Sequence, residues 1–530
     1  MSSADQASID AARAADVASP PAAAAGSIRG RKLVMLLCCS GAPFLIMLDT
    51  NIVAVSLPAI ARDFQGGFTD VEWVVSAYVL PFTALLMPAG ALADRMGRRR
   101  MLILGLSIFT IASLLCGGAP NLATLNIARA LQAVGAALQL TASLAAVSHA
   151  FPPEQKARVF AIWGTVMGMA PPLGPVVGGI ITSYLGWRWA FYINLPLGAL
   201  LIGLAWASVD ESRDAHASRL DYPGIVLFGT GLFSVVWALI DGNADGWSSA
   251  PTLGKFAVGV ALLLAFVYAE RFHPRPMIDL TIFRDRIVVG AAIAMLGYAA
   301  AAQVMMTFLP LYLQDAFGHS PAQAGLAMIP FALPLLIGPG VGGRLSAQMS
   351  SRAILCFGLC LIATGDAIAG IAAFAGLGYW TAAIGMFITG CGAGLLNSET
   401  AKAQVGSVPA DRAGMASGLA STTRFIGIIS GVAGLGAVLS AVAETSVRRL
   451  GTPLVPDQSI DWHALSLRVV GGDAPGALSA LTETTRKAIA GAIEQSVALG
   501  FGASLSVAAF VALGAAWASW RLLAPKAAKA

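Results

Sequence analysis

Charge is scarce in this chain. Only 12% of its 530 residues are Asp, Glu, Lys or Arg, 57% are apolar and mean hydropathy is +0.75, which excludes an ordinary soluble domain and points to an integral membrane protein. The net charge of +5 is too small to argue for a nucleic-acid partner. Cysteine is scarcer still: Cys38, Cys39, Cys116, Cys356, Cys360 and Cys391 all lie in apolar runs, so neither a disulfide framework nor a zinc site is implied. No phosphate-binding G-x-x-x-x-G-K-[ST], nucleophile elbow or H-E-x-x-H occurs, so ATP hydrolysis, a cofactor, a metal centre and enzymatic activity are not expected. The five histidines, His149, His216, His273, His319 and His463, all miss the middle of an apolar run. Residues 1–30, rich in Ala, Ser and Pro, lack a continuous apolar stretch after a basic start and read as a disordered tail, not a signal peptide.

What is present is a succession of apolar segments long enough to cross a hydrocarbon core of about 30 Å. Fourteen spans are expected at about 33–57, 71–93, 101–119, 121–148, 157–183, 187–208, 222–240, 253–270, 287–313, 321–346, 352–374, 378–398, 412–440 and 493–520. Most of the 33 Lys and Arg fall in the tails and alternate loops on one side, which makes both termini cytoplasmic by the positive-inside rule. The densest basic loop is Gly90–Leu102, GALADRMGRRRML. Its arginines Arg95, Arg98, Arg99 and Arg100 would each cost about 2.5–3.5 kcal/mol inside hydrocarbon. Gly90 and Gly97 suit close approach and chain reversal, and Asp94 is an acid among bases, available to a neighbouring helix end. A weak repeat at an offset of about 252 residues links Leu57-Pro58 and Asp63 to Leu309-Pro310 and Asp315, Pro81 to Pro334, and the basic loop to Gly343–Arg352, where Ala347 replaces the acid. Two halves related by an axis along the membrane normal would produce such a repeat, with spans seven and eight inserted between them.

The spacing G-x-L-x-D-R-x-G-R-R-x-x-L resembles the loop between helices 2 and 3 of the major facilitator superfamily of secondary transporters. In the fifth span, Ala170–Gly179 (APPLGPVVGG) is similar to the antiporter motif of the drug-exporting branches, with Pro171, Gly174, Pro175, Gly178 and Gly179 allowing a kinked helix to pack closely on a neighbour. Leu48–Pro58 resembles the first-helix motif of the 14-helix drug:proton antiporters but departs at Asn51, Ala54 and Ser56. Arg129–Gly135 (RALQAVG) resembles their fourth-helix motif with Ala133 for a Gly, and Trp187–Pro196 opens the sixth span as in that branch. The resemblance implies an all-α integral membrane protein of the major facilitator fold. Its parts would be a cytoplasmic tail (1–32), a six-helix bundle (33–208), two inserted helices with their loops (209–286), a second six-helix bundle (287–520) and a short cytoplasmic tail (521–530).

A charged residue within a span is a functional candidate by default. Asp49, Arg129 and Arg424 sit where the superfamily lines its cavity. Asp49 is the expected proton carrier with Arg129 as its partner, because both lie about 12 Å below the outer ends of their spans; a salt bridge that never titrates is the alternative. Asp366, on a peripheral span, is expected to have a structural partner. Gln132, Gln139, Gln303 and Asn397 suit either substrate contact or helix–helix hydrogen bonding. Trp73, Tyr78, Trp163, Met167, Tyr298, Met305 and Met306 suit either an adaptable apolar pocket or packing. Gly90, Asp94, Arg95, Gly97 and Arg98 would form a gate, Asp94 meeting the start of span thirteen at Asp411–Gly414. The implied function is proton-coupled export of lipophilic compounds, cationic ones included, across a bacterial inner membrane by alternating access. The alternatives are an exporter of one endogenous metabolite, such as a siderophore or antibiotic, and a non-transporting membrane receptor. The outward segment 441–492 is where a periplasmic adaptor would dock.

Overall fold

A computed structural model describes residues 30–523 apart from 153, 154, 156–158, 160, 161, 164, 165, 167, 168, 214–220, 273–279, 347, 407–412, 456–459, 472, 473 and 480. Among the described residues there is no strand. The spanning helices are α1 (Arg31–Phe64), α2 (Phe68–Met96), α3 (Arg98–Gly117), α4 (Leu122–Ala150), α5 (Ala170–Tyr184), α6 (Trp189–Ser208), α7 (Tyr222–Asp245) and α8 (Ala250–Phe272). They continue as α9 (Arg286–Asp315), α10 (Pro321–Ala327 with Ile329–Leu345), α11 (Ser351–Phe374), α12 (Tyr379–Gly406), α13 (Ala413–Gly451) and α14 (Glu483–Leu522). Eleven are long and apolar enough to cross a bilayer unbroken, two more are bent pairs, and the apolar stretch Leu173–Tyr184 of α5 belongs to the remaining span. The bends have a cause. α2 turns by 55° between Leu86 and Pro88, and α10 by 45° at Met328, just before Pro330; a proline removes one helical hydrogen bond and crowds the preceding turn.

Arg31, the α2–α3 turn and Leu522 lie at one face of the bundle, the loop face. The connections α1–α2, α3–α4 and α13–α14 lie at the opposite, cap face. Apolar side chains gather in two large cores. One joins α1–α4 and α6–α8 with Leu419, Phe425, Ile429 and Ala433 of α13; the other joins α9–α14 with Val55 of α1, and α5 packs through Ala170 on a small separate cluster with Leu48, Ile52 and Ala190. The inserted α7 packs against both α2 and α13, with Trp73 and Phe233 rings 6.2 Å apart, and α2 meets α13 directly through Phe82 and Phe425, 4.6 Å apart edge to face. Lys255 of α8 pairs with Asp241 of α7 and lies over the Trp237 ring, which ties the hairpin together.

Four helices outrun their expected spans, α12 among them, which continues to Gly406. α1 continues through Pro58 to Phe64, stopped by Gln65 at φ 53°, so Asp49 is about 22 Å from the cap-face end of its helix and Arg129 about 10 Å from its own. Helix ends do not measure depth, since an apolar run follows the bilayer whereas a helix can run on past it; the two side chains meet at 2.7 Å, in keeping with the equal depths expected from hydropathy. Likewise α13 reaches Gly451 and α14 begins at Glu483, so much of the outward segment 441–492 is helix extended by Glu444–Arg448 and Glu483–Lys487 pairs one turn apart. Short helices Trp462–Val470 and Ala474–Ser479 close it over a small core of Val447, Leu465, Val469, Ile489 and Ile493.

Candidate functional site

Asp49, at the middle of α1, is fully buried and is held by three donors from two helices. Arg129 Nη1 of α4 donates to its Oδ2 at 2.7 Å; Gln132 Nε2 and Asn194 Nδ2 of α6 donate to Oδ1 at 2.9 and 2.6 Å. Arg129 spends its other donors inside the same bundle, Nη1 also on Gln132 Oε1 at 2.7 Å and Nε on the Val74 carbonyl at 3.2 Å, and its guanidinium lies 4.2 Å from the Tyr78 ring centre. Ser113 of α3 accepts from Gln132 at 2.9 Å. The expected pair is thus present, inside a network that satisfies both charges with good geometry. A proton placed on Oδ1, which already accepts two hydrogen bonds, would have to displace Gln132 or Asn194. The network draws on α1, α2, α3, α4 and α6, all of the first bundle, and Asp49 and Arg129 are at most 1% exposed.

The antiporter stretch joins the two halves. Pro171 is the second residue of α5, where a missing N–H costs nothing. Gly174 and Gly178 press on α1: a Cβ would lie 2.3 Å from Asn51 Cβ at Gly174 and 2.8 Å from Ile52 Cα at Gly178. Gly179 faces the other half, its Cβ position 2.3 Å from the Pro321 carbonyl of α10, and Gly325 returns the contact on Pro175 O at 2.2 Å. Ser183 Oγ accepts from Ala322 N–H at 3.0 Å, and Gln314 Nε2 of α9 donates to the Val55 carbonyl at 3.2 Å. All of these contacts lie in the cap-face half of the bundle. Asn51 turns back on its own helix, Nδ2 to Met47 O at 2.7 Å, and packs against Gly174 of α5 while remaining half-buried.

At the loop face, Asp94 takes two hydrogen bonds from Arg98, Nε at 3.1 Å and Nη2 at 2.8 Å. The start of span thirteen, expected beside it, lies at 407–412 outside the described residues. Gly97 has φ +115°, and a Cβ there would strike Glu211 Oε1 at 2.4 Å; Gly90 has room, its Cβ position reaching only Thr141 at 4.0 Å. Glu211, beyond α6, accepts from Arg99 N–H at 3.3 Å and sits 3.6 Å from Arg100 Nε, while Ser212 O accepts from Arg98 N–H at 3.0 Å. Arg95 is exposed.

The remaining candidates are scattered. Gln139 is buried within the first bundle and neither end of its amide has a partner. Trp163 Nε1 donates to Cys39 O at 3.1 Å, the carbonyl that Pro43 leaves without its helical N–H. Met306 is packed in the second core. Arg424 lies 5.9 Å from the Tyr298 ring centre, and Tyr298 OH meets Asn397 at 3.4 Å. The side chains of Gln303 and Met167 are outside the described residues. Asp366 accepts from Thr389 Oγ1 at 2.8 Å between α11 and α12, the structural partner expected of it.

The sequence model of the Major Facilitator Superfamily matches residues 39–432. The chain belongs to this superfamily. A Mycobacterium tuberculosis multidrug resistance protein, Stp, is 36% identical over 84% of this superfamily member and 83% of its own length. A tetracenomycin C resistance and export protein of Streptomyces glaucescens is 29% identical over 93% and 92%. Among solved structures, a bacterial homologue of the lysosomal transporter Spinster, in an inward-facing unoccupied conformation, aligns with a TM-score of 0.61 at 18% identity over 95% of this chain and all of that one. The fold of two six-helix bundles with two further helices is that of a major facilitator transporter spanning a membrane many times, a class of carriers and not of enzymes.

Within this superfamily member, sequence reasoning missed Asn194, Ser113 and Glu211. Asn194 had a signal, an amide seven residues inside the apolar span expected at 187–208, where an unpaired polar group is expensive. Glu211 had none, since its partners lie about 112 residues away in sequence.

Proposed function

We propose that this transporter exports lipophilic compounds, cationic ones included, in exchange for protons, with the loop face cytoplasmic and Asp49 as the proton carrier. The observation that supports the coupling role is the Asp49–Arg129–Gln132–Asn194 network: a buried carboxylate whose protonation frees an arginine and two amides on α4 and α6, and so couples proton binding to the packing of the first bundle. Drug export is supported by the similarity, over most of the chain, to a multidrug resistance protein and to a tetracenomycin C resistance and export protein. One proton descending about 100 mV contributes about 2.3 kcal/mol. That sustains a roughly 40-fold substrate gradient. The contacts of α5 with α10 and of Val55 with Gln314 close the cap-face half, the arrangement of a carrier open toward the loop face, and Asp94, Gly97 and Arg98 gate that face when it closes.

Reconstituted protein should acidify the vesicle lumen in step with drug movement, and Asp49→Asn should abolish uphill transport while leaving drug binding. An Asp49→Asn variant that still moves protons with drug overturns the assignment. The relative named for tetracenomycin C resistance and export favours a narrower second reading, export of one compound, which a panel of substrates in the same vesicles separates from the first.

A further inference from the structure

A second candidate site lies far from the Asp49 network, at the cap face of the second bundle. A cavity of about 330 Å³ is bounded by the end of α9, the C-terminal turn of α11 and the extended first turns of α14. Its aromatic walls are Tyr312, Phe317 and Phe374; Gly376, Glu494 and Gln495 line it as well. The aromatic side is fixed, since Tyr312 stacks on Phe501 at 4.1 Å and meets Phe317 edge to face at 5.3 Å. The α11 wall is the negative end of a helix of 24 residues, turned by Gly376 at φ +61°. Glu494 adds a full negative charge and, among the described residues, makes no ion pair or hydrogen bond. Among the described residues no Lys, Arg or His lines the cavity, and Lys487, two turns earlier on α14, is taken by Glu483 at 2.7 Å.

Why α14 presents these residues follows from its two faces. Ile489, Ile493 and Val497 point into the cap core, which leaves Gly491, Glu494, Gln495 and Ala498 on the cavity side. Aromatic rings that attract cations, a carboxylate and a helix C-terminus then converge on one space with no compensating base. The geometry points to a peripheral binding site for an organic ammonium ion carrying an apolar group, on the face opposite the signature loop. Two sources supply that chemistry: a free lipophilic cation on the cap side, and the headgroup of an amine-bearing phospholipid.

The inference stands apart from proton coupling, and its test keeps the two separate. The full-length protein is photolabelled with 4-azidobenzyltrimethylammonium in detergent, and adducts are mapped by mass spectrometry. Saturable labelling is expected on the peptides carrying Phe374–Leu377 and Gly491–Ala498, competed by benzyltrimethylammonium and lowered about tenfold in Glu494→Gln. Asp49→Asn should label like the wild type, whether or not Asp49 carries the proton. In nanodiscs, protection by phosphatidylethanolamine but not phosphatidylglycerol identifies the lipid headgroup as occupant; equal labelling in both identifies the free cation. The proposal is overturned if Glu494→Gln labels as strongly as the wild type, or if neopentylbenzene, the uncharged isostere, competes as well as benzyltrimethylammonium. Glu494 is exposed and glutamine keeps its shape, so the unfolding temperature should not move and serves as the folding control.

Discussion

Replacing Gly179 by alanine tests whether the α5–α10 contact holds the cap face shut. The added Cβ would lie 2.3 Å from Pro321 O and 3.0 Å from Ala322 Cα, against backbone that has no rotamer with which to retreat. Relief requires the two helices to separate by about 1 Å there. The Ser183–Ala322 hydrogen bond, 3.0 Å long, would then stretch beyond useful length. Overpacking of this kind costs about 1–3 kcal/mol. A conformation in which α5 and α10 are apart at the cap face escapes that cost, so the open-to-closed ratio should rise about 5- to 150-fold. Electron–electron resonance between spin labels at Leu185 and Leu377 on the cap face, and at Met96 and Met349 on the loop face, reads both openings; all four side chains are exposed. The variant should lengthen the first distance and shorten the second at an unchanged unfolding temperature. Unaltered distributions for a folded Gly179→Ala protein would refute the claim that this contact sets the balance. Gly325→Ala should act in the same direction, and the double variant should fall short of additivity because both act on one contact.

Arg129→Ala leaves a fully buried carboxylate without its cation and should cost about 3–5 kcal/mol, seen as loss of monodisperse protein on size exclusion, with partial recovery when Asp49→Asn is added. Asn194→Leu removes one of three donors to Asp49 and should lower stability by about 1–3 kcal/mol in thermal unfolding. Trp163→Phe keeps the packing but abandons the Cys39 carbonyl, for a loss of about 1 kcal/mol in the same assay. Gly97→Ala, forced into φ +115° and against Glu211, should destabilise by about 1–2 kcal/mol, more than Glu211→Gln, whose exposed pair with Arg100 is worth under about 1 kcal/mol.

Charges in apolar surroundings were the easiest feature to read. Asp49 and Arg129 stood out because hydrocarbon tolerates so few charged groups, and their pairing follows once both lie on helices of one bundle. Asn194 and Ser113 complete the network yet carry no charge, so composition alone does not separate them from other polar residues in spans. The spans were legible because about 18 apolar residues are physically required for each. The true ends of α1, α13 and α14 were not, since past the bilayer a helix is held by pairs such as Glu483–Lys487 that hydropathy does not register. Glycines divided similarly. Gly174, Gly178 and Gly179 each meet a neighbour too close for a Cβ, whereas Gly90, in an equally persuasive motif, does not. Spacing reveals where close approach is permitted, and only the neighbouring helix decides whether it is used.

The position of α7 has a consequence for how the two halves can move. It grips α2 with Phe233 against Trp73, lies along α13, and shares one apolar core with both. The opposite seam, where α5 meets α10 and α1 meets α9, has no inserted helix among the described residues, and α5 and α10 are joined backbone to backbone. The protein is therefore bound like a book: one margin is sewn through an extra leaf, and the other is held only by the touching of its two fore-edges. Rotation of one half against the other has to slide past α7 but can simply part at α5 and α10. Travel should be greatest at the seam that the glycines close, and a hydrophobic molecule in the surrounding lipid meets a sealed spine on one side and an openable edge on the other.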